Sequence, residues 1–430
     1  MKLLCCIYIL LLNFQLSYVL VKAYTPIPHF THRATLIGNK LYILGGDTSK
    51  TSIFSFTPTK DDFFCLDVSA AFNTTNITWT DFSNFAGTPI QRGAAVSAGG
   101  PNKDIIFLVG GAFENSSYGI PLVYTFDTVK NVWNTPIIKG TQPTRRDFIY
   151  SIIDVTGKMY IFGGSYNTGT GNSTGTTGNY ENRMDILDTI ELTWSIGSQL
   201  QAPTPRDGYS ATLLPNGIIA YIGGYGVNGP TNLKEIYLYD TKNNAWETMI
   251  TVGTIPDARA HHSSVLGLNN DRIIIYGGFY STTSPAVAHD FSVLDIRNKP
   301  YQWFTPNISG TIPPTPTAHT ANVVGRYMIV TYGFIYSQKY INPDVYFLDI
   351  GNDSEYEWVT SFDPKLSLTP SPNPSPNPSL IQNGSSISIG TMIGAIIGTF
   401  IGGILLTIFG LMIYRWYKRK HPRAIPTHGS

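Results

Sequence analysis

The 430-residue sequence is poor in charge and in cysteine. Only 13% of its residues are Asp, Glu, Lys or Arg, about half of the ~25% usual in soluble domains. Basic and acidic residues nearly cancel, at 29 against 28. A net charge of +1 gives no field for a phosphate backbone, so no nucleic-acid partner is expected. The Ala/Glu/Lys/Leu bias of a coiled coil is missing, and 13% aromatics are too many for a disordered chain. Of three cysteines, Cys5 and Cys6 lie in an N-terminal apolar run. Cys65 is then left alone, and no internal disulfide can staple the fold, which must be held by its own core. Cys65 reads as a buried apolar residue, with a free thiol that pairs between chains as the alternative. The sequence contains no His-Glu-x-x-His, Cys-x-x-Cys or phosphate-binding loop, which removes the usual signatures of zinc, dithiol and nucleotide chemistry.

What is abundant is 41 Gly, 28 Pro, 26 Tyr and 22 Phe, the composition of short strands joined by tight turns. The two ends differ from this middle. Residues 1–23 read as a secretory signal peptide: Lys2 precedes the apolar run Leu3 to Leu12, and Ala23 suits cleavage before Tyr24. No charged residue lies between Lys365 and Arg415. Residues 387–414 are apolar apart from Ser, Thr and Gly, long enough to span a hydrocarbon core of about 30 Å as one transmembrane helix. Arg415, Lys418, Arg419, Lys420 and Arg423 follow directly, so the 415–430 tail is expected to be cytoplasmic and the bulk of the chain luminal or extracellular, a type I membrane protein of the secretory pathway or cell surface. Gly390, Gly394, Gly398 and Gly402 share one face of that helix and would let a second copy approach closely, giving a homodimer. Residues 363–386, with SPNPSPNPS, read as an extended stalk. Seven Asn-x-Ser/Thr acceptors, at Asn73, Asn76, Asn115, Asn172, Asn307, Asn352 and Asn383, fit a glycosylated secretory chain.

An internal repeat organises residues 24–362. An apolar strand runs into a Gly pair at Gly45-Gly46, Gly110-Gly111, Gly163-Gly164, Gly223-Gly224 and Gly277-Gly278, and a sixth copy keeps only Gly333. An apolar-Asp pair ends the next strand at Asp67, Asp127, Asp188, Asp240, Asp295 and Asp349. A Trp follows each, at Trp79, Trp133, Trp194, Trp246, Trp303 and Trp358. Each unit reads as four strands: the first after a Pro-x-x-Arg start, the second ending at the Gly pair, the third at the Asp, the fourth beginning near the Trp. Gly at a strand end permits close backbone approach, the Asp accepts backbone hydrogen bonds in the following turn, and the Trp gives neighbouring units an apolar face to share. Insertions fall between second and third strands, the largest over 165–182.

This constellation resembles the kelch repeat over roughly His29 to Phe362. The resemblance implies an all-β propeller with one four-stranded sheet per repeat, hence six blades with seven as the alternative, since the first unit carries an insertion and the sixth lacks its Gly pair. Some kelch-like propellers, notably the copper radical oxidases related to galactose oxidase, are secreted enzymes. That resemblance requires a Cys linked to a Tyr, a second Tyr and two His ligands on copper. Here it would draw on Cys65 and on His261, His262, His289 or His319, but no Tyr directly precedes any His. The reading taken is therefore a non-enzymatic recognition or adhesion module without a cofactor, and a membrane-tethered copper oxidase is the alternative. Arg92, Arg146, Arg206 and Arg259 end the Pro-x-x-Arg starts, with Arg33 a fifth candidate. In kelch substrate adaptors, arginines at similar positions receive acidic peptides, so the resemblance implies a ring that binds a carboxylate, sulfate or acidic glycan on a protein or glycan partner. The other reading has each Arg pairing with a nearby Asp such as Asp147 or Asp207. Two of the basic residues precede Tyr24 and five follow Tyr414, so residues 24–386 hold 22 basic against 28 acidic residues, and any cationic ring would be a local exception on an acidic domain.

Overall fold

The computed structural model describes residues 24–49, 62–113, 120–166, 179–280, 289–353 and 355–366. The 1–23 segment, the 387–414 span, the 415–430 tail and the stalk beyond residue 366 lie outside the described residues, as does most of the 165–182 insertion. What is described is all β: six blade sheets, each with four antiparallel strands from one continuous stretch of chain, and in the last two blades a fifth strand, Val252–Gly253 or Asn307–Gly310, added in parallel at the outer edge. Blade four shows the pattern, with Ser210–Leu213, Ile218–Ile222, Glu235–Asp240 and Ala245–Ile250 paired in chain order. The other blades open with Arg33–Ile37, Ala95–Gly99, Ser151–Ile153, Ser263–Leu266 and Thr320–Val324. Six blades close the propeller, which corrects the seven-blade alternative.

The sequence periodicity follows from where each strand sits. Second strands lie between two neighbouring blades and are covered on both faces, so they read as unbroken apolar runs, as in Arg272–Tyr276, buried throughout. Fourth strands lie toward the outer rim and alternate, as in Glu355–Val359. All six third strands end on the repeated Asp. Its Oδ1 accepts the backbone N–H two residues on, at 2.8 Å for Ser69, 3.0 Å for Val129 and Ile190, 2.9 Å for Lys242, 3.0 Å for Arg297 and 2.8 Å for Gly351. All six Trp lie in fourth strands. Five are buried, and Trp79 is half-buried. They pack into six apolar cores, one between each pair of neighbouring blades. Trp303 reaches back to blade four, where its indole N–H donates to the Leu233 carbonyl at 3.2 Å.

Around the axis the blades are joined backbone to backbone. One residue just ahead of each first strand is left-handed: Thr31, Gly93, Phe148, Gly208, His261 and Ala318, with φ between +52° and +63°. That turn points an N–H at the carbonyl of the previous blade. Gly93 donates to Thr31, Ile149 to Gly93, Gly208 to Phe148, His261 to Gly208, Ala318 to His261, and Thr31 to Ala318, at 2.6 to 3.3 Å. The circle closes on itself. A second circle joins the second Gly of each pair to the following blade. Gly46, Gly111, Gly164, Gly224 and Gly278 donate to Gln91, Arg146, Arg206, Arg259 and Pro316, and Gly333 donates to His29, at 2.8 to 3.3 Å. The first Gly of the pair leaves room for that approach: a Cβ on Gly223 would stand 2.6 Å from the Arg259 carbonyl oxygen. In the sixth copy Tyr332 occupies this place and still adopts φ +51°. The bond beside it, Gly333 to His29, is the longest of its circle at 3.3 Å. This is the seam between last and first blades, where sheet pairing consists of Ser361 with Asn73 and Phe362 with Phe72. The seam core of Leu41, Leu66, Tyr327, Ile329 and Phe347 backs it.

Two glycine substitutions separate conformation from crowding. Gly38 is also left-handed, at φ +56°, but nothing lies within 4 Å of its missing Cβ. Gly38→Ala is expected to cost about 1–2 kcal/mol, the left-handed penalty alone, and Gly223→Ala about 3 kcal/mol or more, because a backbone contact must also move. Urea unfolding of the two variants checks this, and equal losses would contradict the crowding argument.

Candidate functional site

The two backbone circles fix the register of the repeat, and with it the places of the candidate arginines. Since the second Gly of each pair donates to Gln91, Arg146, Arg206, Arg259, Pro316 or His29, those six are the equivalent positions. Arg146, Arg206 and Arg259 are therefore true counterparts. Arg92 is not: it sits one residue late, because the left-handed Gly93 follows it directly, and Gln91 holds its place. Arg33 lies two residues after its left-handed Thr31 rather than two before it, so it is not a fifth member.

All four of Arg92, Arg146, Arg206 and Arg259 are buried, and each is engaged by its own chain. Arg92 forms ion pairs with Asp47 at 2.7 Å and with Asp147 at 3.4 Å, bridging blades one and three from blade two. Arg146 pairs with Asp185. Arg206 donates to the Gly223 carbonyl at 3.3 Å and the Thr204 hydroxyl at 2.7 Å, and lies over the Tyr237 ring at 4.9 Å. Arg259 donates to the Gly277 carbonyl at 3.2 Å and the His289 carbonyl at 3.0 Å. These arginines hold the ends of second and third strands, and a ligand reaching them would have to replace those bonds.

The face at this end of the axis is divided. The residue after each Gly pair bridges to the residue before each left-handed turn: Asp47 to Phe30, Ala112 to Arg92, Ser165 to Asp147, Tyr225 to Asp207, Phe279 to Ala260 and Phe334 to Thr317. Around blades one to three these positions carry the Asp47–Arg92–Asp147 network. From blade four through blade six the residue after the Gly pair is aromatic, Tyr225, Phe279 and Phe334, and Tyr180 and Tyr336 extend the row. Tyr180, Tyr225, Phe279 and Tyr336 run in sequence at centroid separations of 6.5, 6.0 and 5.4 Å, and Phe334 packs edge-on against Tyr336 at 5.0 Å. Tyr180, Tyr225 and Tyr336 are half-buried, while Tyr280 beside Phe279 is 45% exposed. This stripe was not among the sequence candidates. Its signal was the residue following each Gly pair, which turns aromatic in the last three repeats.

The histidines do a different job. His32, His262 and His319 occupy one equivalent position, directly after the left-handed residue. Each ring Nε2 meets a hydroxyl of the preceding blade: Thr320 at 3.2 Å, Ser210 at 2.8 Å and Ser263 at 2.8 Å. His261 is itself the left-handed residue of blade five, stacked on Phe279 at 5.5 Å. Burial holds all of them neutral, with His29 lowered to about 4, His261 and His319 to about 3, and His32 and His262 well below their ordinary value. Cys65 belongs instead to the core between blades one and two, with Tyr42, Leu44 and Phe63, and burial pushes its thiol up to about 11. His289 lies beside the Arg259 clamp, with its ring 3.4 Å from the Thr305 hydroxyl. Among the described residues no group of three or more His, Cys, Asp or Glu is placed to hold a metal, and the donor set of a copper radical site is not assembled there. Asn73, Asn76, Asn307 and Asn352 are exposed. Asn115, Asn172, Asn383 and the Gly390, Gly394, Gly398 and Gly402 row lie outside the described residues.

Asp207 is the counterweight to the histidines: burial, aided by the nearby Asp147 charge, pushes its carboxyl up to about 8. Unfolding below pH 6.5 therefore takes up protons on five histidines, so stability falls as pH drops towards 4, by up to about 1.4 kcal/mol per pH unit for each. Unfolding above pH 4 releases the Asp207 proton, so its share of stability is lost as pH rises through 8. Urea midpoints between pH 4 and 9 are expected to peak near neutrality. Asp207→Asn should flatten the alkaline side and steepen the acid side by about one proton's worth, ~1.4 kcal/mol per pH unit; an unchanged alkaline limb would contradict the assignment.

Comparison with known proteins gives the following. Residues 31–278 and again 214–393 match the family described as the KLHDC2/KLHL20/DRC7 Kelch-repeats domain. Kelch domain-containing protein 3 of Rattus norvegicus is 29% identical over 265 residues, covering 58% of this chain and 63% of that protein. Host cell factor 1 of Homo sapiens is 25% identical over 256 residues, covering 54% of this chain and 11% of that protein. The chain thus spans less than two thirds of each of these relatives. The solved structure of YjhT superposes with a TM-score of 0.57 at 16% identity, over 78% of this chain and 98% of that one, a likeness of fold alone.

Proposed function

The chain belongs to the kelch-repeat family, and on that footing we propose that its propeller is a recognition module for a protein partner rather than an enzyme. The observation that carries this reading is the divided axial face. Its cationic half is neutralised from within by Asp47, Asp147 and Asp185, so binding falls to the aromatic half. Tyrosines with part of the ring covered and part free supply large contact area at low cost in side-chain entropy, and they recur among the dominant residues of protein interfaces. A photo-crosslinking residue at Tyr280 is expected to capture a discrete protein partner, and Tyr225→Ala or Tyr336→Ala to remove the adduct without lowering the unfolding free energy by more than about 2 kcal/mol. The control is the same residue at Ile137, which is 91% exposed. Identical adducts from both positions, or adducts insensitive to the tyrosines, would count against the stripe.

The same proposal places the propeller outside the cytoplasm on a single membrane span. Its support is the uncharged 387–414 segment, the basic run after it, the apolar 1–23 segment and the exposure of Asn73, Asn76, Asn307 and Asn352. Glycan as part of the partner and pairing of two copies through the glycine row are finer parts of this reading and rest on sequence only. The full chain is expected to resist alkaline extraction from membranes and to shift in mobility on N-glycosidase treatment. A soluble chain with no shift would remove the membrane and secretory parts while leaving the recognition face to its own test.

A further inference from the structure

On the far side of the inner backbone circle from the aromatic stripe, the axis opens into a cavity of about 210 Å³. Its walls are residues of the first strands and those just ahead of them, and none of them is Asp or Glu. One is Arg33, buried to 6% exposure. Blade two carries the small, fully buried Ala94 and Ala95 around the start of its first strand and contributes Val96 to the wall, and the Arg33 side chain crosses to blade three. There Nη2 and Nε donate to the Ile149 carbonyl at 3.0 and 3.3 Å, Nη1 donates to the His32 carbonyl at 2.9 Å, and the guanidinium stands 4.0 Å from the Tyr150 ring centroid. Carbonyls and a ring face orient this cation but do not neutralise it, and no carboxylate of the described residues pairs with it. A buried charge is costly without a counter-charge, and here the missing partner would have to come from the cavity.

The rest of the wall offers donors. Ser151 in the wall pairs with Ser97 at 2.9 Å, and Ser264 pairs with Thr212 at 2.7 Å. Each hydroxyl pair uses one of its two protons and has one to spare. Ser210 meets the Nε2 of His262 at 2.8 Å, while the His262 Nδ1 has no partner. The one ring proton is better placed on Nε2, where Ser210 accepts it, and this frees the Ser210 proton too.

We propose that this axial cavity is a binding site for a small oxyanion of the sulfate or phosphate class, held by the Arg33 guanidinium and by the spare hydroxyl protons around Ser151, Ser210 and Ser264. The site does not depend on the protein-recognition reading, which concerns the other side of the circle. The forked donor geometry of Arg suits two oxygens of one anion. Bound there, the anion would tie blades one, three, four and five together through side chains, next to the circle that already joins them through backbone.

The test is calorimetric titration of the detergent-solubilised full chain with sodium sulfate and with sodium phosphate, against sodium chloride at matched ionic strength. One saturable site for both oxyanions and none for chloride is expected, with a rise in Tm that follows occupancy. Arg33→Met should abolish the saturable heat, and Ser210→Ala should weaken binding several-fold while leaving the fold intact. Saturable binding that survives Arg33→Met overturns the proposal. So does a wild-type chain with no saturable heat at millimolar oxyanion, an outcome that decides the matter even where Arg33→Met fails to fold.

Discussion

The structure depends on a backbone conformation that costs energy at every blade. Six residues around the axis turn left-handed so that each blade can donate an N–H to the one before it, and the last bond returns to Thr31. Only two of the six are Gly. Thr31, Phe148, His261 and Ala318 hold the same φ against the preference of their side chains, which the closed circle and the packing beside it make possible. A blade alone has no such circle and cannot bury its second strand on both faces. The six are therefore stable together, as stacked repeats generally are.

That geometry decides what the polar residues near the axis can do. Everything close to the circles is buried, so the cations there must be matched and the imidazoles must stay neutral. Arg92 and Arg146 are matched by carboxylates, and Arg206 and Arg259 by carbonyls of their own strand ends. His32, His262 and His319 give one ring nitrogen to a hydroxyl of the neighbouring blade, a ladder that fixes the spacing of three first strands. Among the described residues Arg33 faces a cavity without acid in its lining, and the stripe from Tyr180 to Tyr336 keeps half-buried aromatic rings on the opposite face.

Much of the fold was legible because its determinants are local. The Gly pair, the Asp two residues before a turn N–H, and the rim Trp each act within one repeat, and their spacing alone marked four strands, their order and their boundaries. What was hidden is set between repeats. Pro-x-x-Arg aligned Arg92 with Arg146, but the backbone bonds align Gln91 with it, since one residue fewer separates Arg92 from its left-handed Gly93. The acids that occupy Arg92 come from blades one and three, and no spacing in the sequence brings Asp47 and Asp147 together. Tyr332 looked like a lost Gly because residue type was read for conformation, whereas a tyrosine there keeps the left-handed turn at φ +51°. The aromatic stripe was countable from the position after each Gly pair, but only once the propeller had placed those positions on one face.

Amide hydrogen exchange along the inner circle tests the closed-ring account most directly. The N–H groups of Thr31, Gly93, Ile149, Gly208, His261 and Ala318 are predicted to be among the slowest in the chain and to exchange together, with the free energy of global unfolding. Thr31 and Ala318 exchanging orders of magnitude faster than the other four, at a free energy of their own, would mean that the seam opens independently and that the circle is not what holds the six blades.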